Sequence, residues 1–129
     1  MAKKPRVRPT ETELAILQVL WTRGPSTVRE VHETLREERG TGYTTTLKLL
    51  QIMTEKGLVV RDDSRWSHVY QAAVAAGETQ RQLVRDLLDR VFQGSARQLV
   101  LQALSAKRTS KEELGEIRRL LDELERKRN

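Results

Sequence analysis

Apolar residues recur every three or four positions through the first third of the chain, which is the spacing of amphipathic helices. The members of the first two stripes are Leu14, Leu17, Trp21, Val28, Val31 and Leu35. Each stripe follows a Thr-x-x-Glu capping box, headed by Thr10 or Thr27, in which two side chains satisfy backbone N–H groups at the helix start. Two helices are therefore predicted, and Gly24-Pro25 separates them.

A third helix is predicted from about Thr44 to Lys56, with Thr44 as its N-cap and Gly57 just past its end. The positions that helical periodicity assigns to its buried face are Thr46, Leu49, Leu50 and Met53. The positions on the opposite face are Thr44, Lys48, Gln51 and Glu55. The first part of that face offers a hydroxyl, an ammonium group and an amide, which are groups that bind base edges and phosphates.

Two short runs rich in β-branched and aromatic residues follow the third helix. The runs LVVR at 58–61 and WSHVYQA at 66–72 predict two strands, joined by a loose turn at Asp62-Asp63-Ser64. Trp21 and Trp66 are interpreted as packing anchors of the core. Three helices followed by a hairpin is the order of a winged helix-turn-helix, in which the last helix enters the major groove of DNA.

From residue 74 onward the pattern is helical, and three further helices are predicted. They cover about 78–92, a segment opened by Ser95 with Gln98, and a segment opened by Ser110 with Glu113. Their apolar positions are Val84, Leu87, Leu88, Val91, Leu99, Val100, Leu114, Ile117, Leu121 and Leu124. These side chains could pack within one chain, but three short helices bury little by themselves. A homodimer interface is the favoured interpretation, since two-fold pairing is common.

The predicted fold class is mainly α with a small β-hairpin: an N-terminal winged helix-turn-helix and a C-terminal helical dimerisation region. The predicted boundaries are a flexible basic arm at 1–9, the DNA-binding domain at 10–73, a three-helix dimerisation region at 74–126 and a tail at 127–129. The formal net charge is +6, and residues 1–8 carry four bases and no acid. Because the excess lies in the arm and in a mildly basic C-terminal part, bulk charge favours a nucleic-acid partner only weakly.

Composition excludes several classes of function. The chain has no cysteine, which removes disulfides, thiolate metal sites and cysteine nucleophiles. His32 and His68 have no neighbours at metal-ligand spacing, so they are interpreted as packing or surface residues and no metal site is expected. With no P-loop, dinucleotide fingerprint or nucleophile elbow, neither an enzyme nor a cofactor nor a small-molecule substrate is expected. The chain lacks a signal-peptide pattern and any apolar run of roughly 18 residues, so a cytoplasmic protein is expected.

Several segments, taken in order, resemble the penicillinase and methicillin-resistance repressor family. They are ELAILQVLW, STVREVHETL, YTTTLKLLQIMTEKGLVVR, SHVY, and the C-terminal VFQGSARQLVLQAL and SKEELGEIRRLLDEL. The resemblance spans about residues 10–124. It implies a homodimeric repressor that binds double-stranded DNA at an inverted-repeat operator through two winged helices.

The resemblance also implies particular contact residues. In the recognition helix they are Thr44, Thr45, Thr46 and Lys48, to which the exposed face of the predicted helix adds Gln51. Helical periodicity places Thr46 toward the core instead. The candidates for phosphate contact in the hairpin are Arg61, Arg65 and Ser67, and those in the arm are Lys3, Lys4 and Arg6.

Members of this family are relieved by a membrane metalloprotease sensor that leads to cleavage in the C-terminal region, usually at an Asn-Phe pair. The matching position here is Gln102-Ala103, which departs from that pattern. Two other functions stay open at this point: a winged-helix module that binds proteins, and an architectural DNA binder without sequence preference. A gel shift with random duplex DNA separates the protein-binding module from the other two.

Overall fold

The structure is a computed structural model that describes residues 8–64 and 66–128. The described part of the chain forms six helices and three short strands. Their bounds are α1 Glu11–Arg23, β1 Ser26–Thr27, α2 Val28–Arg39, α3 Tyr43–Lys56, β2 Val59–Asp62, β3 Val69–Ala72, α4 Ala76–Val91, α5 Ala96–Ala106 and α6 Lys111–Arg128. The mainly α prediction, with three helices before a hairpin and three after it, is confirmed. Helix α6 extends through residues 127 and 128, which had been predicted as a tail.

The sheet has one strand more than the sequence predicted. It is antiparallel in the order β1-β3-β2, with Ser26 opposite Tyr70 and Val59 opposite Ala72. Strand β1 has only two residues, too few to show a period of two, and it forms because β3 offers it a free edge. Its second residue, Thr27, is also the N-cap of α2, so one residue joins the sheet to the helices.

Strand β3 begins later than predicted, at Val69 instead of Trp66. Residues 66–68 therefore lie in the loop of the hairpin. Trp66 is 102% exposed, so its interpretation as a packing anchor is wrong. Trp21 is a packing anchor as predicted: it packs against the core, and its indole Nε1–H donates to the Val74 carbonyl at 2.9 Å.

The capping boxes predicted for α1 and α2 are both present. The backbone N–H of Glu13 donates to the Thr10 hydroxyl and the N–H of Thr10 donates to the Glu13 carboxylate, at 3.2 and 2.9 Å. Thr27 and Glu30 repeat this exchange at the start of α2. These bonds satisfy donors that the first turn of a helix otherwise leaves without a partner.

Removal of the Thr27 hydroxyl tests the second box. We expect Thr27→Ala to lower the free energy of unfolding by about 1 kcal/mol, because Ala offers no acceptor to the Glu30 amide. Urea denaturation followed by circular dichroism measures the change. Thr27→Ser keeps the hydroxyl and should remain close to the wild type; equal loss in both variants would show that the cap is not the cause.

The hydrophobic core lies between α1, α2, α3 and the sheet. Its largest fully buried side chains are Tyr70, Ile16, Leu17, Leu35, Leu50, Met53, Glu13, Val31, Val59, Thr46 and Ser26. Leu50 and Met53 are on one face of α3, so packing holds that helix by one side and leaves the other exposed. Within the described residues, every buried side-chain nitrogen and oxygen atom has a hydrogen-bond partner.

Glu13 is the one carboxylate among these core side chains. It is 2% exposed, and its two oxygens accept hydrogen bonds from Lys56 Nζ at 2.9 and 2.8 Å. Burial is the largest influence on the pKa of Glu13 and acts to raise it. The hydrogen bonds from Lys56 and Thr10, with the charge of Lys56, together outweigh burial, so the pKa lies below its usual value. The pair joins the first turn of α1 to the last residue of α3.

The chain divides into two compact units, the first ending at Leu83 and the second beginning at Val84. The predicted boundary lay at residues 73 and 74. The first unit extends further because Val74 packs against its core and Thr79, in the first turn of α4, is buried. Across the described ranges, none of the helices has the length and apolar character needed to cross a membrane.

Candidate nucleic-acid interface

Helix α3 has one buried face and one exposed polar face. Thr46, Leu50 and Met53 are buried. The exposed side chains are Tyr43, Thr44, Thr45, Lys48, Gln51, Thr54 and Glu55. Lys48 is the only charged residue between Tyr43 and Thr54. Four of the five residues predicted for the recognition helix, Thr44, Thr45, Lys48 and Gln51, therefore lie on the exposed side.

Thr46 lies on the other side of the helix. It is 0% exposed, and its hydroxyl donates to the Gly42 carbonyl at 2.9 Å. Its position agrees with the helical periodicity and differs from the position that the family resemblance suggested. A side chain enclosed in the core cannot reach a ligand outside it, so Thr46 is left out of the proposed interface.

The start of α3 also differs from the prediction. Gly42, not Thr44, is the N-cap, and its extended backbone has φ −76° and ψ 165°. The Gly42 carbonyl accepts from both the backbone N–H and the hydroxyl of Thr46, so the N-cap lies two residues earlier than predicted. No side chain caps this helix, and its first turn contains no acidic residue. The N-terminus of α3 thus keeps its positive partial charge without an internal counter-charge.

Tyr43 is an exposed residue of this face that the sequence analysis did not single out. It is the first residue of α3 and is 48% exposed. Its ring meets that of His32 edge to face, with centroids 5.7 Å apart and an interplanar angle of 79°. The contact agrees with a packing role for His32. Gly42 could have indicated this position from the sequence, because a helix with Gly42 as its N-cap has Tyr43 in its first turn.

The hairpin β2–β3 with its loop, residues 59–72, is called the wing from here on. Arg61 and Asp63 form two close contacts, Nε to Oδ1 at 2.7 Å and Nη2 to Oδ2 at 3.1 Å. His68 Nδ1 also lies 2.7 Å from Asp63 Oδ1. The hydrogen bond and the charge of Asp63, with a contribution from Tyr70, raise the pKa of Arg61. One carboxylate therefore connects the end of β2 to the segment that enters β3.

Other residues of the wing form its turn or lie exposed in its loop. Asp62 accepts from the backbone N–H and hydroxyl of Ser64 at 2.9 and 2.6 Å, so its interpretation as a turn former is confirmed. Ser67 and Trp66 are exposed in the loop. The predicted phosphate contacts that lie outside the described residues are Arg65, Lys3, Lys4 and Arg6.

The second unit contains all ten of the residues that were predicted to form a dimer interface. No residue of α5 or α6 is buried within the chain. The most exposed of the predicted residues are Val84 at 49%, Val91 at 61%, Leu121 at 55% and Leu124 at 50%. Leu87 and Val100 are also exposed, whereas Leu88, Leu99, Leu114 and Ile117 are half-buried. Covering apolar side chains of this kind is favourable, because it removes their surface from water.

The helices α1 to α3, followed by the wing, define the first unit as a winged helix-turn-helix domain. The chain belongs to the penicillinase repressor family, whose model matches residues 9–123. It is 36% identical over 128 residues to the transcriptional regulator BlaI of Mycobacterium tuberculosis, in both strain CDC 1551 / Oshkosh and strain ATCC 25618 / H37Rv. These matches cover 97% of this chain and 89% of BlaI. The family resemblance is confirmed, and the chain is a transcriptional repressor of this family and not an enzyme.

One similar solved structure is the solution structure of Bacillus licheniformis BlaI, in its monomeric form in complex with the blaP half-operator. Its TM-score is 0.50 at 20% sequence identity, and the match covers 60% of this chain and 93% of that chain. At this identity the likeness supports the fold, and it agrees with the winged-helix assignment.

Proposed function

We propose that the chain is a cytoplasmic homodimer that represses transcription by binding an inverted-repeat operator, with one winged helix on each half-site. The observation that carries the proposal is the exposed face of α3, where Thr44, Lys48 and Gln51 are available and no carboxylate precedes Glu55. Thr and Gln side chains bind base edges in the major groove, and Lys binds guanine or a phosphate. Family membership and the complex of Bacillus licheniformis BlaI with a half-operator support the same partner.

Dimerisation would hold two such faces at a fixed separation. The exposed apolar side chains of the second unit, among them Val84, Leu121 and Leu124, are available for a second copy. Two half-sites are then expected about one or more turns of DNA apart, roughly 10 base pairs each. Two linked winged helices bind DNA far more tightly than one, because the second binding step is intramolecular.

We also propose that cleavage in the second unit relieves repression, after activation of a membrane metalloprotease sensor. Gln102 and Ala103, the pair that matches the usual cleavage position, are exposed and lie inside α5. A protease needs an extended segment, so α5 would have to unwind locally before cleavage. Because no residue of α5 is buried within its own chain, few contacts within that chain oppose the unwinding.

The contact of Lys48 with DNA is tested by Lys48→Ala. We expect affinity for the operator to fall about tenfold at moderate salt, and the slope of log affinity against log salt to decrease by roughly one if the ammonium group binds a phosphate. The operator can be isolated by selection from a random pool of duplexes, and affinity measured by gel shift.

Lys111→Ala is the matched control, since Lys111 is an exposed lysine at the start of α6, far along the chain from α3. It removes the same charge and should leave affinity nearly unchanged. Equal affinity of Lys48→Ala and the wild type would contradict the assignment of α3. Absence of any salt-dependent binding to duplex DNA would favour a protein-binding module, and equal binding to all sequences would favour an architectural DNA binder.

A further inference from the structure

The charged groups of the wing form a small cluster around one carboxylate. Asp63 receives the Nε and Nη2 edge of Arg61 on its two oxygens, and His68 Nδ1 approaches the oxygen that Nε already contacts. Arg61 belongs to β2, and His68 directly precedes β3. All three side chains are well exposed, at 41%, 52% and 58% for Arg61, Asp63 and His68.

We propose that Asp63 restrains the contact of the wing with the DNA backbone, because it occupies the edge of Arg61 that a phosphate would bind. This inference rests on the proposed function. Asp63 is a positioning residue: it acts through Arg61 and need not touch DNA. The wing then contributes the charge of Arg61 to binding only to the extent that a phosphate replaces Asp63.

The geometry makes carboxylate and phosphate direct competitors. A guanidinium binds either group through two parallel N–H donors, and the Nε and Nη2 pair is already used in this way by Asp63. The ion pair is exposed, and exposed pairs hold weakly, so a phosphate can displace Asp63 without disturbing the core. The displaced carboxylate of Asp63 stays near the DNA phosphates, where its negative charge opposes binding.

The effect should be independent of DNA sequence, since every duplex presents the same phosphates. Random-sequence duplex DNA is therefore the appropriate probe. Asp63→Asn keeps the shape and one acceptor oxygen but removes the charge. If one further cation then acts on the backbone, the slope of log affinity against log salt becomes steeper by roughly 0.9, which corresponds to about eightfold tighter binding at about 0.1 M salt.

Three further variants isolate the cause. Glu33→Gln removes one charge from an exposed site of α2 and controls for net charge; it should bind like the wild type. Asp63→Glu keeps the charge and should also stay close to the wild type. In the double variant Arg61→Ala with Asp63→Asn, the gain should disappear, because the proposal routes it through the guanidinium of Arg61.

Filter binding over a series of salt concentrations, with circular dichroism to confirm folding, measures all variants of the full chain. An unchanged salt slope in Asp63→Asn overturns the inference, and so does a gain that persists when Arg61 is Ala. A negative result for Asp63→Asn leaves the proposed function standing, provided that the wild type binds DNA with a normal salt dependence and that Lys48→Ala weakens this binding. If no variant binds duplex DNA, both fall together.

Discussion

Replacing Leu121 and Leu124 with aspartate should convert the proposed homodimer into a monomer and weaken its binding to a complete operator by about 100-fold or more. Both side chains are at least half exposed on α6, at 55% and 50%, and no residue of that helix is buried within its own chain. An aspartate in a dimer interface would have to lose its water without a partner, which is strongly unfavourable. Sedimentation equilibrium gives the oligomeric state, and gel shift gives the affinity.

The loss should be confined to DNA with two half-sites. A duplex with a single half-site needs only one winged helix, so the variant should bind it as the wild-type monomer would. Arg118→Ala with Arg119→Ala is the matched control, because it changes net charge by the same amount on exposed positions of α6 and leaves the leucines in place. A Leu121→Asp, Leu124→Asp protein that still sediments as a dimer would exclude α6 from the interface.

Lys56→Met should lower the free energy of unfolding by about 2–3 kcal/mol near neutral pH, because it leaves the Glu13 carboxylate buried with Thr10 as a partner but without its cation. Glu13→Gln should cost less, about 1 kcal/mol. Glutamine keeps the capping box, and Lys56 is 31% exposed and can turn to water. Urea denaturation compares the two variants, and equal losses would show that burial of the carboxylate is not the deciding factor.

The same pair predicts how stability changes in acid. The pKa of Glu13 in the folded protein lies below its ordinary value of 4.5, so its contribution is present above pH 4.5 and is lost as pH falls through the folded-state value. Lys56→Met removes the hydrogen bond and the charge of Lys56 that lower the pKa of Glu13, so this pKa should be higher in the variant than in the wild type. Glu13 of the variant therefore takes up its proton at a higher pH, and the deficit of this variant relative to the wild type should shrink as pH falls through the folded-state pKa of the variant toward that of the wild type. A deficit that stays constant from neutral pH into this range would rule out the charge as its origin.

Features set by neighbouring residues could be predicted from the sequence. The capping boxes at Thr10 and Thr27 join residues three positions apart, and both are present. Gly57 ends α3 with φ 80°, the left-handed conformation that its position at the end of the apolar stripe predicted. The exposed face of α3 followed from helical period alone, which also placed Thr46 correctly in the core.

Features that depend on distant partners could not be predicted. Strand β1 exists because β3 lies beside it, and the ion pair of Glu13 with Lys56 spans 43 positions. Trp66 is a residue type that is common in strands, but it lies in the loop and is exposed because β3 begins only at Val69. The cluster around Asp63 depends likewise on the path of the loop, because the sequence alone indicates a turn there and not which cation the carboxylate meets.

The exposure of Trp66 gives the protein a built-in optical reporter. The chain has two tryptophans, and Trp21 is half-buried with its indole N–H bonded to the Val74 carbonyl. The indole of Trp66 lies entirely in water, so its fluorescence should be the long-wavelength component and the one open to iodide quenching. Movement of the wing onto any surface would therefore be visible in unlabelled protein, through the emission of a single side chain.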